Sequence, residues 1–309
     1  MTIFAVVDIE STGLDPANDA IVEIACVDVV DSVLQDKPRS SLIKPPIKIP
    51  PESSAVHNIT DYDVKNAAAA RDVVPIILPL DRDDDVIYVA HNSAFEKSFL
   101  EPYIPGAVWI CTYKAALRIW PDAPNHKNST LRYYLNLAVE RALADQTHRA
   151  LPDAYVTAHI FCELLRHSSV EEMVAWTLEP PVMPTCTIGE WRGKPWRDVP
   201  EDFLNWMLGK KDMDADLIWN AKRELQRRKD AVAADESHWF KMKRDLYVDT
   251  ACRVVSLSQS VDDINKWWKD ESEHRAVHKI EKGDDAFNAI VAACAKRKQE
   301  LLASEAIAA

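Results

Sequence analysis

The chain is 309 residues long, 47% apolar and 28% charged, with only 6 Gly and a formal net charge of -12. That composition suits an ordinary soluble globular protein and excludes a collagen-like repeat, a low-complexity disordered chain and a small disulfide-stapled scaffold. The excess acid lies in the first hundred residues, with 17 acids against 8 bases, while residues 101–200 carry 11 against 10 and residues 201–309 carry 21 against 19. A simple basic grip on nucleic acid is therefore not expected, whereas an enzyme that meets phosphates through cations is.

No apolar run approaches the ~18–20 residues of a membrane span. The opening run Ile3–Val7 meets Asp8 without a preceding basic region, so no signal peptide is visible. A cytoplasmic protein with no membrane partner is expected. The six cysteines are widely spaced and form no CxxC pair, as reduced thiols in cores would be.

In chain order, the uninterrupted β-branched and aromatic run Ile3–Val7 predicts a strand buried on both faces. Residues 20–30 and 86–90 predict two more. Pro45, Pro46, Pro50 and Pro51 force an irregular extended connection between them. Thr60, with Asp63 three residues on, has the form of a helix N-cap. Phe95, Phe99 and Leu100 recur at helical spacing, as do Leu151, Ala154, Ala158, Phe161 and Leu165. Strands interleaved with helices mean an α/β layered domain over residues 1–180.

Pro180, Pro181 and Pro184 mark a boundary. In the next segment, residues 185–230, Gly189 and Gly193 predict tight turns in a short hairpin. Gly209 can end one helix and Asp214 or Asp216 can cap another. A small α/β module results. Residues 231–309 read as a helical tail, its last helix carrying Phe287, Ile290, Val291 and Cys294 on one side.

The chemistry lies in acids. Asp8 and Glu10 end the first strand two residues apart, so both project from one face while Ile9 points to the other. Paired carboxylates repel, and at the carboxyl end of a strand, where ligands of α/β sheets gather, a divalent cation offsets the repulsion. The whole string Val7-Asp8-Ile9-Glu10-Ser11-Thr12-Gly13-Leu14 resembles the first motif of the DEDDh 3′-5′ exonuclease family, the RNase T or proofreading-exonuclease superfamily. Ala90-His91-Asn92-Ser93-Ala94-Phe95-Glu96 resembles the second motif, and His148-Arg149-Ala150-Leu151-Pro152-Asp153 fits the third, HxAxxD. His57-Asn58-Ile59-Thr60 resembles the substrate-side loop between the first two. The resemblance spans residues 3–168.

It implies an RNase H-like mixed sheet flanked by helices. It also implies a two-metal phosphodiesterase in which Asp8, Glu10, Glu96 and Asp153 are metal ligands and His148 is the base. Hard oxygen ligands with no Cys or His cluster select Mg²⁺ or Mn²⁺, two ions in this family, rather than zinc. Pro152 is tolerated in a helix's first turn, so His148 would precede that helix and Asp153 sit within it. A histidine with pKa near ~6.5 accepts a proton from water at physiological pH. Where the family most often has Asp, this chain has Glu96, one methylene longer, which is either the functional acid or the mark of a weakened site. The family also implies that Ile9, Ser11, Thr12 and His57 hold the terminal nucleotide. Phe95 either lies near its base or packs the core, and Asn92 either positions substrate or caps the next helix.

Residues 185–228, with Ile188-Gly189-Glu190-Trp191-Arg192-Gly193-Lys194-Pro195-Trp196, resemble the small C-terminal domain of bacterial exonuclease X-like proteins. Trp191, Trp196, Trp206 and Trp219 among basic residues suit either base stacking on a single strand or a small core. Lys222, Arg223, Arg227, Arg228 and Lys229 cluster at what reads as a helix's end, a solvated face or a DNA path. The tail is faintly similar to helical tails of phage recombination proteins, which implies recombination proteins as partners and a setting in DNA repair, recombination or phage DNA metabolism. The expected substrate is a DNA 3′ end, single-stranded or duplex. The motifs do not sense a 2′-hydroxyl, so an exoribonuclease of the same fold, or a catalytically weakened end-binding module, are the rivals.

Overall fold

The computed structural model describes residues 2–79 and 85–308. In chain order come β1 (Ile3–Ser11), β2 (Ile21–Val30), β3 (Val33–Leu34), β4 (Arg39–Leu42), α1 (Pro51–His57), α2 (Asp61–Val64), α3 (Ala70–Ile77), β5 (Val86–Ala90), α4 (Ala94–Leu100), β6 (Val108–Cys111), α5 (Thr112–Ile119), α6 (Asn128–Tyr134), α7 (Arg141–Ala144), α8 (Ala150–Leu164) and α9 (Val170–Leu178). Among the described residues the strands form one six-stranded mixed sheet in the order β3-β2-β1-β5-β6, with β4 also on β2. β1 pairs antiparallel with β2 and parallel with β5, and β5 pairs parallel with β6.

β1 is central because its side chains serve two cores. Phe4 and Val6 pack with Ala154, Ala158 and Phe161 of α8, while Ala5, Val7 and Ile9 pack on the other face with Val74 and Leu100. The two-residue period therefore turns Asp8 and Glu10 to the side covered by α8. Their register with β2 shifts between Glu10, opposite Glu23, and Ser11, opposite Ile21. The extra residue, Val22, is buried in a satellite cluster with Ile49, Ile59 and Val64. The capping box at Thr60 forms, the Thr60 N–H donating to Asp63 Oδ2 at 2.8 Å.

The chain packs as two compact units, Met1–Ala221 and Lys222–Ala309. Residues 185–221 fall in the first unit and residues 222–230 in the second. Asn220 accepts the Met183 N–H (3.0 Å) and donates to the Pro181 carbonyl (2.9 Å), tying the proline segment into the first unit. The expected hairpin at Gly189 and Gly193 is a single antiparallel bridge, Thr185 to Pro195. Positive φ angles of 61° and 79° serve the turns without a ladder following. The segment is thus helical rather than α/β, with α10 (Glu201–Leu208) ended at Gly209. Asp214 caps α11 (Ala215–Leu257) through the N–H groups of Asp216 and Leu217.

The basic cluster at 222–229 is not at a helix end. Lys229-Asp230-Ala231-Val232-Ala233-Ala234 contains no Gly or Pro, and α11 runs on to Leu257. Within the second unit, α12 (Val261–Asp270), α13 (Ser272–Val277) and α14 (Asp285–Ala308) follow. Ala251, Val255, Ile264, Ile290 and Cys294 form its core. Among the described residues no helix is long and apolar enough to cross a membrane.

Candidate active site

Asp8, Glu10 and Asp153 each place an oxygen within 4.8 Å of the others. Two of the three come from adjacent same-face positions of β1. The third comes from the first turn of α8, which Pro152 enters without needing an N–H. Glu96, in the first turn of α4, stands outside this trio yet bears on it: its charge is the strongest of those raising the Asp8 pKa, after burial itself. Glu96 is only 4% exposed, and its Oε2 has no hydrogen-bond partner.

Burial and mutual repulsion push these acids toward their neutral forms. Burial, then the charges of Asp153 and Glu23, raises Glu10 to about 8. Burial chiefly, with the charge of Glu10, raises Glu96 to about 8. Asp153 is also raised, mainly by burial, against the hydrogen bond from His148. Four carboxylates with an orphaned buried oxygen fit a hard divalent cation, which would supply the missing positive charge.

A stability consequence has a definite sign. Folded pKa values near 8 lie above the ordinary 4.5, so the folded protein binds more protons than the unfolded one across that window, and its stability falls as pH rises through it. In chelator the melting temperature is expected to drop between pH 5 and 8. Divalent metal should restore it by a margin that grows with pH. A melting temperature in chelator that is flat across this range would contradict the burial of these acids.

The loop before α8 is held from two sides. His148 has a left-handed φ of 60°, which aims its backbone N–H at Asp153 Oδ2 (2.8 Å) and leaves its ring exposed in the cleft with Asp8 and Asp153. Next to it, Arg149 forms a fork with Glu23 of β2, Nε to Oε2 at 2.9 Å and Nη2 to Oε1 at 2.6 Å, and the Ala150 N–H also donates to Oε2 (2.9 Å). Glu23 is 5% exposed and sits across the ladder from Glu10, so its negative charge adds to the repulsion that raises Glu10, while Arg149 beside it acts in the opposite direction. Asn128 of α6 donates to the Asp153 carbonyl (3.0 Å) and to Thr157 Oγ1 (2.8 Å). Sequence reading missed Glu23, Arg149 and Asn128. Arg149 alone had a signal, its place inside HxAxxD. Glu23→Gln is expected to weaken divalent-metal binding by about 10–100-fold, because it loosens the Arg149–Ala150 stretch that leads into Asp153. Calorimetric titration with Mn²⁺ reads this, and parental affinity would remove Glu23 from the site's support.

The expected nucleotide-holding residues divide. Ile9 is 3% exposed within the core, so only its backbone can meet a ligand. Ser11 and Thr12 are buried, with hydroxyls engaged by the Gly13 carbonyl and by Asp19 and the Ala20 N–H respectively. His57 is buried at the end of α1, its Nδ1 accepting the Ile59 N–H (3.0 Å), and burial lowers its pKa. Phe95 packs on Phe99 with centroids 5.1 Å apart, against the core. Asn92 is exposed at φ 73° and lines the cleft; Ser93, not Asn92, precedes the first residue of α4. His91 bridges Thr112 Oγ1 (2.9 Å) and the His126 carbonyl (2.8 Å), and burial lowers its pKa to about 4, so it is a neutral strut.

The profile of the exonuclease family that includes RNase T matches residues 5–161, just over half of the chain and the span that holds all four carboxylates and His148. Over 227 residues the chain is 35% identical to exodeoxyribonuclease 10 of Escherichia coli K12, covering 72% of this chain and 98% of that one. The chain belongs to this exonuclease family. Over 163 residues it is also 34% identical to a PolC-type DNA polymerase III of Thermotoga petrophila, covering 51% of this chain but 11% of the polymerase. Among solved structures, exonuclease X in complex with 5′-overhanging duplex DNA is 35% identical, with a TM-score of 0.49 over 57% of this chain and 99% of that one. The exonuclease family is divalent-metal dependent, in keeping with the acidic cluster here.

Proposed function

We propose that this chain is a 3′-5′ exodeoxyribonuclease that hydrolyses the terminal phosphodiester of DNA and releases nucleoside 5′-monophosphates. The observation that carries the reading is the meeting of Asp8 and Glu10 from β1 with Asp153 from α8 in a cleft that also exposes His148. Its DNA specificity is supported by the 35% identity to an exodeoxyribonuclease across nearly all of that enzyme.

Asp8, Glu10, Asp153 and Glu96 would hold two Mg²⁺ or Mn²⁺ ions. Bound there, divalent metal supplies a low-pKa water and a counter-charge for the leaving 3′-oxygen. A ring nitrogen of His148 accepts the proton of the attacking water, and its exposed position on the loop leaves that nitrogen open to the cleft. Asp153 fixes the loop that carries His148, through the His148 N–H. Asn92, at the cleft wall, meets the terminal nucleotide, as do the backbones of Ile9, Ser11 and Thr12. Phe95 backs this subsite from the core.

The test follows 3′- and 5′-labelled DNA, with RNA of matching sequence, in Mg²⁺, Mn²⁺ and chelator. Stepwise loss from the DNA 3′ end that stops in chelator is expected. Preferential loss of RNA would replace the substrate by RNA. Because Glu96 stands outside the trio, the same assay includes Glu96→Asp. Cleavage by this variant but not by the parent would make the parent an end-binding module rather than a nuclease.

A further inference from the structure

The hollow over the carboxylates, of 760 Å³, does not end at the reacting nucleotide. Past Asn128, Ser129 and Thr147, which it shares as walls, it continues into a groove of 360 Å³ bounded by α6, α7 and the start of α8. Together these exceed the space one nucleotide fills, and each falls in the range of built ligand clefts.

Two exposed cations stand along this path, Lys127 at the foot of α6 and Arg141 at the first residue of α7. Among the described residues neither forms an ion pair, while the neighbouring Arg132 is bound to Asp145 (2.8 Å) and to the Ala144 carbonyl (2.9 Å). That committed arginine lies 5.1 Å from the Tyr133 ring centroid and steadies a ring that is 69% exposed. An acidic chain that leaves two cations without a carboxylate partner, beside an exposed ring backed by arginine, has a surface matched to a polyanion with flat rings.

We propose that this groove is a track for the sugar–phosphate backbone of the DNA strand beyond its terminal nucleotide. Lys127 and Arg141 neutralise phosphates there, and Tyr133 offers its face to a base. The inference rests on the nuclease reading of the cleft and adds where the rest of the strand runs. A nuclease with such a track prefers long strands to dinucleotides, because only long strands reach Arg141.

The test compares the parent with a Lys127→Ala, Arg141→Ala double variant and with the charge-keeping pair Lys127→Arg, Arg141→Lys. Two readouts are taken: kcat/KM on a 20-nucleotide DNA relative to a dinucleotide, and binding of the labelled 20-mer by anisotropy across salt concentrations in chelator and in Ca²⁺. Loss of two phosphate contacts should make the log-affinity against log-salt slope shallower by about 1.4 and lower the length preference by about tenfold, with the charge-keeping pair close to the parent. Equal slopes and equal length preference in parent and double variant overturn the track. If the parent cleaves neither substrate, the nuclease reading fails. The salt slopes then still decide whether the groove holds DNA.

Discussion

Asp8→Asn is expected to lower DNA hydrolysis by about 10²–10³-fold while raising the melting temperature of the metal-free protein. The first effect follows from the central place of Asp8, whose neighbours Glu10, Glu96 and Asp153 all act on it. Removing one of these carboxylates would weaken the hold on the divalent cation that offsets negative charge in the transition state, and single groups of that kind are worth about 10²–10³. The second effect follows from the same facts read in the ground state. Asp8 is raised well above the ordinary carboxylate range, burial first and like charges next, so the amide relieves repulsion that the unfolded chain does not feel. Each kcal/mol so recovered is worth about 2–4 °C in a chain of this size. Thermal melts in chelator and a gel assay in Mg²⁺ check both. A variant that keeps the parental rate, or melts lower than the parent in chelator, would contradict the placement of Asp8 at the heart of the cluster.

His148→Asn is expected to cost about 10²–10⁴ in kcat with KM little changed, the range for loss of a positioned general base. Asparagine is the suitable replacement because position 148 is left-handed, at φ 60°, where Asn is tolerated and Ala is strained. His148→Ala would mix loss of the base with a shifted loop. Added imidazole should recover part of the rate of His148→Gly, whose backbone accepts this conformation and whose missing ring leaves room. A His148→Asn enzyme with parental kcat would move the base elsewhere.

The first strand and its acids were legible because they are local. A continuous apolar run ending in Asp-x-Glu needs only the two-residue period to put both carboxylates on one face, and Pro152 needs only its missing N–H to sit in a first turn. Glu96 was legible as a nearby acid, but its place outside the trio depends on how α4 meets β1, which spacing does not encode. The Glu23–Arg149 fork joins residues 126 apart and was invisible for that reason. At Gly189 and Gly193 the turn chemistry was read correctly, yet a turn does not guarantee a ladder, and no strand-forming sequence follows it. The basic run at 222–229 looked like a terminus because positive charge suits one. The absence of any helix breaker after it was the stronger signal.

The hydrogen bond from the His148 N–H to Asp153 has a further meaning for how the enzyme fails. His148 and Asp153, the proposed proton acceptor and one of the proposed metal ligands, are fastened to each other across five residues, and the Arg149 fork between them ties their loop to β2. A fluctuation that frees this loop is expected to displace both residues in one motion. Under the proposed assignment, partial unfolding at this loop is expected to switch cleavage off rather than to loosen its specificity.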